Sequence, residues 1–123
     1  MKRILVIDDT PDLLLATCRR LASLGYAVDS AVHGRLGLEA IETSPPDLIV
    51  LDVMMPELNG FQVARRVRQD PRWASMKILM LTAKDSAADR FWGESAGADL
   101  YLTKPVDPRA LADAVRRLIG GPE

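Results

Sequence analysis

Four short apolar runs constrain the fold of this chain most strongly: Ile4–Ile7, Leu48–Leu51, Lys77–Leu81 and Leu100–Leu102. None shows the apolar–polar alternation of a strand with one wet face. Short runs of this kind are the pattern of parallel strands buried on both sides. A fifth strand is expected at Tyr26–Ser30. Between the runs lie helical patterns with readable ends. The first helix is expected to take Thr10 as N-cap and Pro11 as its first residue, to turn Leu14, Cys18 and Leu21 inward, and to stop at Gly25. A second spans Gly34 to Thr43, a third starts near Gly60 and ends before Asp70-Pro71, and a fourth runs from about Asp85 to Gly97. The last uses Asp107 as cap and Pro108 at its first position, with Leu111, Val115 and Leu118 inward and Arg116 and Arg117 at the negative end of the helix dipole.

Strands alternating with helices imply right-handed crossovers and helices on both faces of a parallel sheet. The expected class is α/β: a flavodoxin-like, doubly wound five-stranded parallel sheet of order 2-1-3-4-5 with five helices. With 123 residues, 48% of them hydrophobic, the chain suits one domain, expected over residues 1–120 with 121–123 as a short loose tail. A domain of this size buries roughly two thirds of its unfolded surface, so it folds without a metal or disulfide. The single Cys18 excludes an intrachain disulfide and suits a reducing cytoplasm, the expected location. A net charge of -1 with no basic block argues against nucleic acid or an anionic membrane as partner. No run approaches the roughly 20 apolar residues of a membrane span. The N-terminal apolar stretch ends in two carboxylates, too soon for a secretory signal.

In open parallel sheets ligands bind beyond the carboxyl ends of the strands. Strand one ends at Asp8-Asp9, strand three at Asp52 and strand four at Thr82, and strand five is followed by Lys104-Pro105. Each has an ordinary structural use. Asp8 or Asp9 alone could favour the coming helix dipole, Asp52 could start a turn before Met54-Met55-Pro56, and a lone Lys is usually solvated. The set is more specific than its members. Three carboxylates within several ångströms repel by roughly 3 kcal/mol per pair at an effective dielectric of about 20. A hard divalent cation with oxygen ligands relieves that repulsion, and Mg2+ favours a few carboxylates plus waters and phosphate oxygens. Lys104 adds a positive charge and Thr82 a hydroxyl at the same rim. Such a site suits phosphoryl transfer with a carboxylate as nucleophile.

The stretches ILVIDD, PDLIVLDVMMPELNGFQVARRVR, KILMLTA and GADLYLTKP stand in this order along the chain. Together they resemble, from end to end, a two-component response-regulator receiver domain. The resemblance implies Asp52 as phosphoacceptor. It implies a Mg2+ site of Asp9, Asp8 (partly through water), Asp52 and the backbone carbonyl of Met54. It further implies that Lys104 and Thr82 contact the phosphoryl group, that Tyr101 turns inward as Thr82 moves, and that the Lys104–Pro105 bond is cis. Ala83, small and beside Thr82, leaves room for a donor's imidazole. Asn59, where many members carry Asp, and Val106, where Phe is frequent, depart from the family pattern without touching phosphate chemistry. Met54 and Lys84 flank the site at positions that tune phosphoryl lifetime in the family. The stretch from Asp89 to Gly93, followed by GADLYLTKPVDP, is similar to single-domain regulators of type IV pilus and twitching chemotaxis systems.

As a receiver, the chain would be a signalling domain and not an enzyme beyond its own phosphorylation and dephosphorylation. Its expected partners are a sensor histidine kinase or phosphotransfer protein and a downstream protein, reached through the face of the fourth helix, fifth strand and fifth helix. It is expected to be a monomer, with dimerisation on phosphorylation left open. No output domain fits after Ile119, so a stand-alone chain is expected, although Gly120-Gly121-Pro122 equally suits the start of a linker. The alternatives are a haloacid-dehalogenase-like phosphatase and a phosphorylation-independent docking module. The first would want an Asp-x-Asp motif after strand one and a cap domain. The second leaves the full chemical set unexplained. A flavin site would want a phosphate loop where this chain has Asp8-Asp9-Thr10-Pro11-Asp12.

Elsewhere, His33 reads as a solvated loop residue, so a donor phosphohistidine would come from another protein. Cys18, Met76 and Met80 read as core filler. Phe91 reads as core and Trp92 as half-buried packing. Trp73 is compatible with burial against the sheet or with exposure.

Overall fold

A computed structural model describes residues 1–123. The apolar runs form β1 (Arg3–Ile7), β2 (Ala27–Ala31), β3 (Leu48–Leu51), β4 (Lys77–Thr82) and β5 (Leu100–Thr103). The helices are α1 (Pro11–Ser23), α2 (Gly34–Thr43), α3 (Gly60–Gln69), α4 (Ala87–Ala96) and α5 (Pro108–Ile119). All four strand pairings are parallel, in the order β2-β1-β3-β4-β5. The flavodoxin-like doubly wound sheet expected from the apolar runs is the one observed.

Side chains of the central strands alternate between two cores, which explains their unbroken apolarity. Leu5, Ile7, Ile49, Leu51, Ile78 and Met80 point to one side, where Val63 and Val67 of α3 and Ile41 of α2 meet them. Ile4, Val6, Leu48, Val50, Leu79 and Leu81 point to the other, against Leu14 and Leu21 of α1 and Leu111 and Val115 of α5. Every residue of β3 is buried because helices cover both of its faces.

Local chemistry sets the ends of the elements. Pro11 and Pro108 open α1 and α5, and the Asp107 carboxylate accepts from Arg109 N. Thr10 stands at the N-cap of α1 without a side-chain cap bond; the Asp8 carboxylate takes the Thr10 N–H instead, at 2.9 Å. Asn59 and Gln62 form a reciprocal capping box at α3, which accounts for an Asn at this position. The fourth helix starts later than expected, because Ser86 caps it in a box with Asp89, and left-handed Gly97 ends it.

Other readings change in three dimensions. The second strand begins one residue late because Tyr26 leaves the ladder, buries its ring and donates its hydroxyl to Gly120 O at 2.7 Å. The C-terminal residues are not loose: Pro122 O accepts from Lys2 N at 2.7 Å, and the Pro122 ring lies against Gly25. His33 is not merely solvated, since its Nδ1 accepts from Leu36 N as the N-cap of α2. Trp73, in a 3-10 turn after α3, is buried beneath the Arg72 guanidinium. Phe91 is exposed, not core, and stacks edge-on with exposed Trp92. No helix is long and apolar enough to cross a membrane.

Candidate functional site

Parallel strand order carries the C-terminal ends of β1, β3, β4 and β5 to one rim. Asp8 and Asp9 follow β1, Asp52 follows β3, Thr82 ends β4, and Lys104 follows β5. Asp8, Asp52 and Thr82 are the buried polar residues of the molecule, with exposures of 5%, 7% and 0%. The Asp52 backbone is anchored to the sheet through Asp52 N to Ile7 O at 3.0 Å, and Lys104 N likewise reaches Thr82 O at 2.8 Å. A Cβ on Gly60, the first residue of α3, would overlap the Asp52 carbonyl, so α3 can start this close to the acid only with glycine there.

Carboxylate oxygens of Asp8, Asp9 and Asp52 lie within 4.8 Å of one another. Lys104 Nζ donates to Asp8 Oδ2 at 2.6 Å and to Asp52 Oδ2 at 3.2 Å. The remaining oxygens are tied to backbone: Asp8 Oδ1 accepts from Thr10 N, and Asp52 Oδ1 from Met54 N at 3.1 Å. Burial opposes the charge on Lys104, but the hydrogen bond to Asp8 and the fields of Asp52 and Asp8 outweigh it and hold the ammonium above its ordinary pKa. Asp9, half-buried, has no such partner.

One ammonium faces three carboxylates, which leaves two negative charges uncompensated in a largely dehydrated pocket. At 4.8 Å each like-charge pair costs about 3 kcal/mol for an effective dielectric of about 20. A hard divalent cation fits this donor set by charge and by ligand type. The Thr82 hydroxyl accepts a long bond from Lys84 N, 3.4 Å. Tyr101 lies inward, its hydroxyl donating to Lys84 O at 2.7 Å, and the Lys104–Pro105 peptide is cis. Met54 is exposed at the rim.

This geometry has close counterparts. The sequence model of the response regulator receiver domain matches residues 4–116. The chain belongs to that family. It is 35% identical to Protein PilH of Pseudomonas aeruginosa, covering 98% of this chain and 100% of PilH. It is 43% identical to the DNA-binding dual master transcriptional regulator RpaA of Synechocystis, over 97% of this chain but 49% of RpaA. The chain thus matches PilH end to end and spans about half the length of relatives such as RpaA. Among solved structures, chemotaxis protein CheY4 of Vibrio cholerae superposes with a TM-score of 0.92 at 31% identity, covering 97% of this chain and 99% of that one.

The receiver is therefore a domain of two-component signalling, and its acidic rim could hold a metal ion. Sequence reasoning missed the Asp8 bond to Thr10 N, the Gly60 packing under Asp52 and the Lys84 backbone between Thr82 and Tyr101. Of these only Gly60 left a trace in the sequence, as a glycine opening a helix.

Proposed function

We propose that Asp52 accepts a phosphoryl group from a phosphohistidine of a sensor kinase or phosphotransfer protein. One observation carries this reading: a buried carboxylate at a strand end shares a lysine with a second carboxylate, in a cluster that needs further positive charge. An Asp52 oxygen attacks phosphorus in line, the P–N bond breaks, and its electron pair leaves with the imidazole nitrogen. The product is an acyl phosphate. Lys104, already 3.2 Å from Asp52, stabilises the equatorial oxygens, and the Thr82 hydroxyl donates to one of them. Asp8, Asp9, Asp52 and the Met54 backbone carbonyl would hold Mg2+, which when bound supplies positive charge against these carboxylates and the phosphoryl oxygens.

The domain catalyses only its own phosphorylation and the hydrolysis that ends it, in the cytoplasm. An apolar cleft of about 570 Å³ between α1 and α5, lined by Leu13, Ala16 and Val106, opens beside Lys104 and suits docking of the donor. The signal leaves through α4, β5 and α5 to a downstream protein. Exposed Phe91 and Trp92 on α4 support that face as the output. The likeness to CheY4, a chemotaxis protein, supports a chemotaxis-type role, with the domain acting as a monomer through protein contacts rather than on nucleic acid.

Acetyl phosphate with Mg2+ should label the protein with one acid-stable, base-labile phosphate. Asp52→Asn should abolish the label; equal labelling of that variant sinks the assignment.

A further inference from the structure

Gly93 sits in the middle of α4, where alanine is the better helix former. Its φ lies outside the left-handed region, so the backbone does not require glycine. What the position requires is space. A Cβ on Gly93 would lie 2.7 Å from Cδ2 and 2.9 Å from Cε2 of Tyr101, and 3.1 Å from Met80 Sδ. The first two separations are shorter than carbon atoms tolerate. The Tyr101 ring therefore occupies the volume that a methyl group at residue 93 would fill. Arg90, one turn earlier on α4, covers the ring with its guanidinium 5.3 Å from the centroid, and its Nη1 donates to Tyr101 O at 3.3 Å. From this seat the Tyr101 hydroxyl reaches Lys84 O, while Lys84 N reaches the Thr82 hydroxyl. The backbone of one residue thus ties Thr82, at the acidic rim, to a ring lying under α4.

We propose that Gly93 is the positioning residue for Tyr101: it opens the seat that lets the ring lie under α4 and couple Thr82 to the α4–β5 surface. What the coupling transmits rests on the proposed phosphorylation of Asp52; the seat itself does not.

The test is the position of the ring, read without any phosphoryl donor as NOEs between the Tyr101 ring and the Met80 methyl. Wild type should show them and Gly93→Ala should lose them, while acetyl phosphate labelling stays within about twofold of wild type. Ring–methyl NOEs that persist in Gly93→Ala, with α4 shifted to make room, overturn the proposal. Should Gly93→Ala fail to fold, Gly93→Ala/Tyr101→Ala decides: recovery of the fold supports a ring–methyl collision, and equal failure overturns it. Addition of beryllium fluoride and Mg2+ then tests the coupling. Amide shift changes along α4 should be at least threefold smaller in Gly93→Ala than in wild type, and equal changes overturn the coupling claim. A wild type that takes no phosphoryl group defeats the phosphoacceptor reading of Asp52, and the donor-free ring measurement still decides for or against the Gly93 seat.

Discussion

At the residue scale, the three acids of the rim are not equivalent. Lys104 bonds both Asp8 and Asp52, and each of these also accepts a backbone N–H. Asp9 stands within 4.8 Å of both carboxylates without such compensation. In the metal-free protein it contributes mainly repulsion, reduced by its partial exposure. Asp9→Asn should therefore stabilise the protein in EDTA by about 1–2 kcal/mol, less than the ~3 kcal/mol of an unscreened pair at a dielectric of about 20. The same change should remove most of the stabilisation that Mg2+ gives wild type, about 2.7 kcal/mol at a hundredfold excess over the dissociation constant. Thermal unfolding with and without Mg2+ checks both, and a lower midpoint for the variant in EDTA contradicts the first. The acids were legible as candidates because they close apolar runs. Their ranking was not, since it depends on where one ammonium reaches.

At the element scale, α4 depends on its N-terminal box. Ser86 accepts from Asp89 N, and Asp89 Oδ2 takes the Ser86 hydroxyl at 2.7 Å. That bond, with help from the Ser86 N–H and nearby Lys84, holds the Asp89 carboxyl below its ordinary pKa. A depressed carboxylate contributes stability that is complete above its unfolded pKa and is lost as pH falls through its folded one. Amide exchange in the first turn of α4 should accordingly speed up as pH is lowered below the ordinary carboxylate range. Asp89→Asn should flatten that dependence, after correction for intrinsic exchange; an unchanged slope rejects the assignment. The helix starts at Ala87, about two residues after the expected start, because Ser86 and Asp89 close a reciprocal cap there. The prolines of α1 and α5 left no such choice.

At the scale of the whole molecule, Arg68 joins parts that sequence distance separates. From α3 it donates through Nη1 to Met76 O at 2.6 Å, through Nε to Gly97 O at 2.9 Å and through Nη2 to Asp99 at 2.7 Å. The Asp99 carboxylate also takes the N–H of Ile78, the second residue of β4. Three charge-assisted bonds in a half-buried setting suggest that Arg68→Met costs about 2–4 kcal/mol, after allowance for solvent. Arg68→Lys should recover little of this, because one ammonium cannot match a three-way planar fork. Urea unfolding measures both, and full recovery by lysine argues against the fork geometry. Nothing in the sequence sets Arg68 apart from Arg65 and Arg66 beside it. Its role exists only once α3 lies against the α4–β5 loop.

The sequence by itself determined the class of fold and the chemistry of its rim. Unbroken apolar runs admit strands buried on both faces, and acids closing them must lie where the carboxyl ends of a parallel sheet converge. Tertiary structure decided everything that depends on two distant segments meeting. It buried Trp73 and left Phe91 in water, docked Pro122 on Gly25, divided Lys104 between Asp8 and Asp52, and seated Tyr101 over Gly93. Periodicity and capping act within about one helical turn and can be read along the chain. Packing and charge sharing act across space, and the chain reveals them only when folded.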